Sequence, residues 1–333
     1  MVHCLLLALG LWLLPPARAA WRAVHLSGYA QGTTYAITYY AADSVVTGPA
    51  VARKLAEIDA SLSLYAPGSL FNRFNRSPNG GVADAHLRRV VRKALRVYRD
   101  TGGLFDATVE PLVQAWGFGP RPVAEPPSAA AIRAILPRVG SDKIHLRGDS
   151  LVKDLPGVRI DLNGIAQGYT VDVLAALLES QRIRDYLVEV GGEIRVRGRR
   201  PGGERMRIGI ERPDTSDGPP ASLQRVIRLR AGGVTTSGNY RKFKRWGPVK
   251  SAHLINPHTG YAFQNELVSA TVVARDALTA DAYDNALMGM GLAPALAFLR
   301  RHRRLRAYLL YQRPNGTVAE AATRGFQKLI FNP

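Results

Sequence analysis

Val158-Arg159-Ile160-Asp161-Leu162-Asn163-Gly164-Ile165-Ala166-Gln167-Gly168-Tyr169 is the stretch on which the architecture turns. Val158, Ile160 and Leu162 alternate as in a strand, Asn163-Gly164 reads as a turn, and helical periodicity runs on from 169 to 178. Regular repetition of such a strand-turn-helix unit would give a doubly wound parallel sheet. Instead, strand patterns at 143–146 and 151–153 precede it. Others follow at 186–190, 194–197, 206–211, 225–230, 267–274, 305–311 and 326–331, without regularly alternating helices. This succession predicts an α+β fold of mostly antiparallel sheets with flanking helices. The glycines of the turn let backbone groups near a helix N-terminus approach an anion, which is where a phosphate would be held.

On the N-terminal side, 23–30 and 33–40 alternate like two strands around Gln31-Gly32. Residues 43–61 carry helical periodicity, and 85–100 repeats it with Leu87, Val90, Val91, Leu95 and Tyr98 inward and Arg88, Arg92 and Arg96 outward. Between these helices, 63–75 reads as a loop rich in aromatics and amides, a composition that often lines ligand sites. Thr101-Gly102-Gly103-Leu104-Phe105-Asp106 and Trp116-Gly117-Phe118-Gly119-Pro120 follow, dense in glycine and aromatics and poor as regular structure. The second run is either a ligand loop or a tight surface crossing. Residues 122–127 read as a short linker into a helix at 128–136. No internal repeat divides the chain, so 20–333 is expected to form a single domain.

Near the C-terminus, Thr279-Ala280-Asp281-Ala282-Tyr283-Asp284-Asn285-Ala286-Leu287-Met288-Gly289-Met290-Gly291 reads as a helix ending at glycines. Asp281, Asp284 and Asn285 fall on one face at spacings of three and four. The other faces are apolar, which points the stripe away from open solvent, where two carboxylates repel. A bound cation would resolve that conflict. Oxygen-only ligands suit Mg²⁺ first and Ca²⁺ second, not zinc. A solvated acidic stripe is the plain alternative.

The 333 residues are 46 % hydrophobic, an ordinary globular composition. Residues 4–14 form an apolar run too short to span a bilayer, followed by Pro15-Pro16-Ala17-Arg18-Ala19-Ala20, whose small residues fit a signal-peptidase site. Residues 1–19 are therefore expected to act as an export signal, placing the mature protein in the periplasm or on the outer side of the inner membrane. Cys4, the single cysteine, would leave with it, so the mature chain would have no disulfide and no cysteine ligand or nucleophile. The net charge of +19 gathers partly at 195–207, 241–245 and 300–304. These clusters lack interleaved aromatics and any nucleic-acid motif, which favours contact with an anionic membrane surface over nucleic acid.

With Val234-Thr235-Thr236-Ser237-Gly238-Asn239-Tyr240-Arg241 and His253-Leu254-Ile255-Asn256-Pro257-His258-Thr259-Gly260, these motifs together resemble the ApbE family of exported FAD:protein FMN transferases. The resemblance runs in order from about Gly28 to the C-terminus. It implies FAD contacts at Gln31, Tyr65, Leu104, Phe105, Asp106, Asp161, Gln167 and Ile255. It also implies Mg²⁺ at Asp281, Asp284 and Asn285, with the backbone carbonyl of Gly164 as a further ligand. Three positions depart from the family's pattern: Gln31 stands for a common Met, Asn285 for a common Thr, and Asn256 for the usual Asp.

The implied activity is metal-dependent cleavage of the FAD pyrophosphate. FMN would pass to a Ser or Thr hydroxyl of an exported or membrane flavoprotein, and AMP would leave. His253 is the candidate acceptor for the hydroxyl proton, and Arg241 a candidate to stabilise the transferred phosphoryl group. Two rivals share the motifs: an FAD pyrophosphatase using water, and a flavin-binding protein without turnover.

Overall fold

The computed structural model describes residues 21–43, 45–213, 223–239, 243–247 and 249–331. The expected export signal and Arg241 lie outside the described residues. The chain starts with a hairpin of β1 (Arg22–Ala30) and β2 (Thr33–Ala41). Its two-residue turn, Gln31-Gly32, has positive φ at both positions, 54° and 75°, the geometry whose twist matches paired strands. Next come α1 (Gly48–Leu62), α2 (Leu70–Arg76), β3 (Gly80–Val82), α3 (Ala85–Asp100), α4 (Glu110–Ala115), α5 (Ala129–Ile135), β4 (Ile144–Arg147) and β5 (Ser150–Lys153). The middle of the chain forms α6 (Ala166–Ser180), β6 (Tyr186–Val190), β7 (Glu193–Arg197), β8 (Met206–Glu211), β9 (Leu223–Leu229) and β10 (Ala231–Gly238). The rest comprises β11 (Phe243–Trp246), β12 (Val249–Ala252), β13 (Leu267–Ala274), α7 (Ala277–Met290), α8 (Leu292–Arg301), β14 (Arg306–Gln312), β15 (Val318–Ala322) and α9 (Arg324–Gln327).

Eight strands form one antiparallel sheet in the order β1-β2-β6-β7-β10-β13-β14-β15, which is the α+β arrangement expected from the irregular succession of patterns. Period-two alternation divides its faces. Ala270, Val272 and Ala274 of β13 and Ala307 and Leu309 of β14 pack with α3 and α7. Val273, Tyr308 and Leu310 face the other way, against Met206, Ile208, Ile210 and Ile227 of the β8–β9 hairpin. Towards the other edge, Tyr35, Ile37 and Tyr39 of β2 and Val188 and Val190 of β6 pack on Val171, Leu174 and Leu178 of α6. Helix α3 keeps its arginines outward and buries Leu87, Val90, Val91, Ala94 and Val97; each large member contributes about 1.5–3 kcal/mol.

Three stretches differ from their sequence patterns. Residues 158–162 form no strand of any described sheet. The side chain of Asn75 takes a strand's place: its Nδ2 donates to Ile160 O at 2.9 Å and its Oδ1 accepts from Ile160 N at 2.8 Å. Asp161 N donates to Ala107 O at 2.7 Å. Residues 326–331 form the last turn of α9 and a single bridge between Ile330 and Ile227, because Thr323 caps a short helix by accepting from Phe326 N. Within the expected loop at 63–75, α2 begins at Leu70 because Ser69 Oγ accepts from Asn72 N at 3.0 Å.

Candidate functional site

Helix α7 is held from its first turn. Asp276 Oδ1 accepts from Thr279 N at 2.8 Å, and the Asp172 carboxylate of α6 accepts from Ala277 N at 3.0 Å and Leu278 N at 2.9 Å. Three otherwise orphaned amides are thereby satisfied, and the helix starts two residues earlier than its sequence pattern suggests. Its alanines let it lie close against the sheet and α6. A Cβ on Gly168 would sit 2.5 Å from Ala277 O and 2.6 Å from Asp281 Cβ, so only glycine allows this approach. Across the contact, Gly168 N donates to Asp281 Oδ2 at 2.8 Å.

Asp281 and Asp284 are 4 % and 1 % exposed, which confirms that the stripe faces inward. Among the described residues, neither carboxylate has a Lys, Arg or His within ion-pair distance. Burial pushes the Asp281 carboxyl up to about 7, against the lowering effect of the Gly168 amide. Burial, and then the Asp281 charge, push Asp284 well above the ordinary carboxylate range. Asn285 completes the cluster. Its Nδ2 donates to Asp281 O at 2.9 Å, Asp284 Oδ1 at 2.9 Å and Gly164 O at 3.2 Å, while its Oδ1 accepts from Ser237 Oγ at 3.2 Å. The amide nitrogen, not the oxygen, thus faces the three oxygens, and a half-turn of the terminal torsion would exchange them.

The donor set therefore comprises two buried carboxylates, the Gly164 carbonyl and a rotatable amide. Among the described residues no group of three or more His, Cys, Asp or Glu is placed to hold a metal. An all-oxygen site completed by an amide, a carbonyl and water suits a hard divalent cation, and the uncompensated carboxylates supply the charge it needs. The residues fit Mg²⁺.

The stretch from 161 to 170, made of the glycine turn and the first turn of α6, joins this cluster to the other predicted residues. At its far end Thr170 Oγ1 donates to Gln31 Oε1 at 3.1 Å, while Gln31 Nε2 donates to Asp59 of α1 at 3.2 Å. Gln167 reaches the same corner: a Cβ on Gly191 would meet Gln167 Nε2 at 2.8 Å and Thr33 Cγ2 at 2.9 Å. At its near end Asp161 Oδ1 accepts from Asn163 N at 2.7 Å, and burial raises its carboxyl. Asp106 lies one hydrogen bond away, beside the Ala107 carbonyl that receives Asp161 N. Its Oδ1 accepts from Thr108 N, Thr108 Oγ1 and Ser141 Oγ, and its Oδ2 from Ser141 N. That carboxylate locks the loop, and burial raises it despite those donors.

Phe105 is buried and Leu104 half-buried in the same loop. His258 Nε2 lies 3.1 Å from Gly102 O, and Trp116 Nε1 donates to Gly260 O at 2.7 Å. These contacts tie three segments distant in sequence into one body, with Ile255 packed among Leu112, Trp116 and Ile132. His253 meets Phe118 edge-on at 6.3 Å between ring centres. Tyr65 is 70 % exposed, on a loop fixed from beneath by Asn72 Nδ2, which donates to Ser63 O, Leu64 O and Ala66 O. Sequence reasoning missed Asp172, Asn75 and His258 as positioning residues. Asn75, His258 and Ser237 all lie in stretches that the sequence singled out, whereas Asp172 carried no signal.

The model of the ApbE family matches residues 31–309. The FAD:protein FMN transferase of Vibrio cholerae is 39 % identical over 278 residues, covering 80 % of this chain and 81 % of that protein. The FAD:protein FMN transferase of Haemophilus influenzae is 35 % identical over 323 residues, 92 % of each chain. Among solved structures, the flavin transferase ApbE from Vibrio cholerae superposes with a TM-score of 0.83 at 32 % identity, covering 93 % of this chain and 99 % of that one.

Proposed function

This chain belongs to the ApbE family of transferases, and we propose from that premise that it cleaves FAD and transfers FMN to a Ser or Thr hydroxyl of a protein acceptor. The observation that carries the reading is the buried Asp281–Asp284 pair, without a cationic partner among the described residues, beside the glycine turn. Such a pair is costly unless a cation joins it, and a pyrophosphate substrate is the partner that makes a cation useful. Mg²⁺ held by Asp281, Asp284, Asn285 and the Gly164 carbonyl would neutralise phosphate charge; Ca²⁺ suits the same ligands.

The chain's own residues then have distinct tasks. Gln31 and Gln167 border one corner of the site, and Asp106, Phe105, Leu104, Asp161 and Ile255 form the body that would position the flavin nucleotide. Tyr65 offers an exposed aromatic face for stacking. His253 takes the proton of the attacking hydroxyl, whose oxygen bonds to the FMN phosphorus as the bond to the AMP phosphate breaks. AMP leaves. Arg241 is assigned to charge on the transferred group.

Residues 1–19 are read as the export signal of a domain spanning 20–333, with the basic surface facing anionic lipid. Incubation with FAD, Mg²⁺ and a candidate exported flavoprotein should give the acceptor a mass gain equal to FMN less one water and release equimolar AMP. FMN and AMP in solution with an unmodified acceptor would refute transfer in favour of hydrolysis.

A further inference from the structure

At the opposite end of β10 from Ser237, a cavity of about 640 Å³ is walled by six arginines and one acid, Asp185. Ala231 borders it, and six residues at about 3.3 Å each separate Ala231 from Ser237 by roughly 20 Å. The cavity is therefore distinct from the acidic cluster. Arg197 is paired with Glu179 at 2.8 Å. Among the described residues the other five, Arg184, Arg205, Arg228, Arg230 and Arg306, have no carboxylate within ion-pair distance. Asp185 is committed elsewhere, because its Oδ1 accepts from Arg199 N at 2.6 Å.

Two of the five are more than surface charges. Arg306 is half-buried, and burial lowers its affinity for its proton. Arg228 is half-buried and stacked on Phe331, its Cζ 3.5 Å from the ring centre, which uses the guanidinium face and leaves the N–H edges for another partner. The wall between them is tight. Gly198 has φ +83°, and a Cβ there would fall 2.5 Å from Arg184 O, while its N–H donates to Arg230 O at 2.7 Å.

We infer that this cavity is a second anion site, for a compact ligand carrying two or more phosphoryl groups. Guanidinium forks match phosphate oxygens in pairs, and five cations around one cavity, none with a carboxylate partner among the described residues, call for a dense multiple charge rather than a single carboxylate. A soluble polyphosphate and an anionic phospholipid headgroup share this chemistry.

The test is calorimetric titration of the full chain with inorganic diphosphate in EDTA, where the acidic cluster repels the ligand. Diphosphate should bind to the wild type. Arg306→Met and Arg205→Glu should each weaken it at least tenfold, and Asp281→Asn should leave it unchanged. Arg205 is exposed, so its variant carries the test if Arg306→Met does not fold. Sedimentation with phosphatidylglycerol vesicles separates the sources. Loss of vesicle binding in the same variants identifies a lipid headgroup, and unchanged or absent vesicle binding identifies a soluble ligand. No diphosphate binding, or equal affinity in Arg205→Glu, overturns the site. FAD cleavage by Arg205→Glu should match the wild type.

Discussion

Replacing Asp281 by asparagine should make the metal-free protein more stable at pH 8. Burial moves the Asp281 carboxyl from 3.8 to about 7 on folding. At about 1.4 kcal/mol per factor of ten in proton affinity, the ionised side chain costs the folded state about 4 kcal/mol. The direction follows from linkage. The folded value lies above the unfolded one, so stability is fully present below pH 4 and is lost as pH rises to 7. Asparagine mimics the neutral carboxyl, keeps an acceptor for Gly168 N and relieves Asp284 of a neighbouring charge. Urea unfolding in EDTA should therefore show Asp281→Asn ahead of wild type at pH 8, by an amount on the order of 4 kcal/mol, and by less than half of that at pH 5. Millimolar Mg²⁺ should then raise the wild type alone, while the variant loses FAD cleavage. A variant less stable than wild type at pH 8 in EDTA, or a gap that ignores pH, would refute the reasoning.

Three further outcomes can be checked on purified variants. Asn285→Thr should keep metal-dependent cleavage and Asn285→Leu should lose it, since leucine removes the only side-chain oxygen at that position; equal rates would make the position structural. Gly168→Ala should lower the thermal midpoint by an amount matching about 1–3 kcal/mol and also weaken Mg²⁺ binding, because its Cβ would push Asp281 out of place. An unchanged midpoint would mean that α6 and α7 separate freely. His253→Asn should slow protein flavinylation by about 10²- to 10⁴-fold while FAD affinity stays the same, the mark of a lost proton acceptor. Wild-type flavinylation would remove His253 from the mechanism.

Much of this was legible because periodicity and burial agree. Helix α3 shows its core face in every turn, and β13 alternates between two packed layers. The acidic stripe of α7 stood out because its apolar neighbours left it no solvent to face. Failures came where one side chain replaces a regular element. Nothing in residues 158–162 says that Asn75 takes the place of a neighbouring strand, and nothing in residues 326–331 says that Thr323 diverts the chain into a helix. The link from His258 to Gly102 was equally invisible, since a contact across 156 positions leaves no local pattern.

The Asn75–Ile160 pair also bears on the order in which the molecule is built. Hairpins such as β1–β2 close through two residues, whereas joining Asn75 to Ile160 closes 85, an entropic cost of roughly 4 kcal/mol before any contact repays it. Asp161 and the glycine turn are anchored by that pair, so the binding face should mature after the local hairpins and helices, which need no such closure. In stopped-flow refolding, far-ultraviolet circular dichroism should recover before the capacity to bind FAD, and Asn75→Ala should delay only the second phase. Simultaneous recovery of both signals would show instead that local structure and site fold as one unit. If the phases separate, newly made chains pass through an interval in which they hold their secondary structure and are still unable to bind FAD.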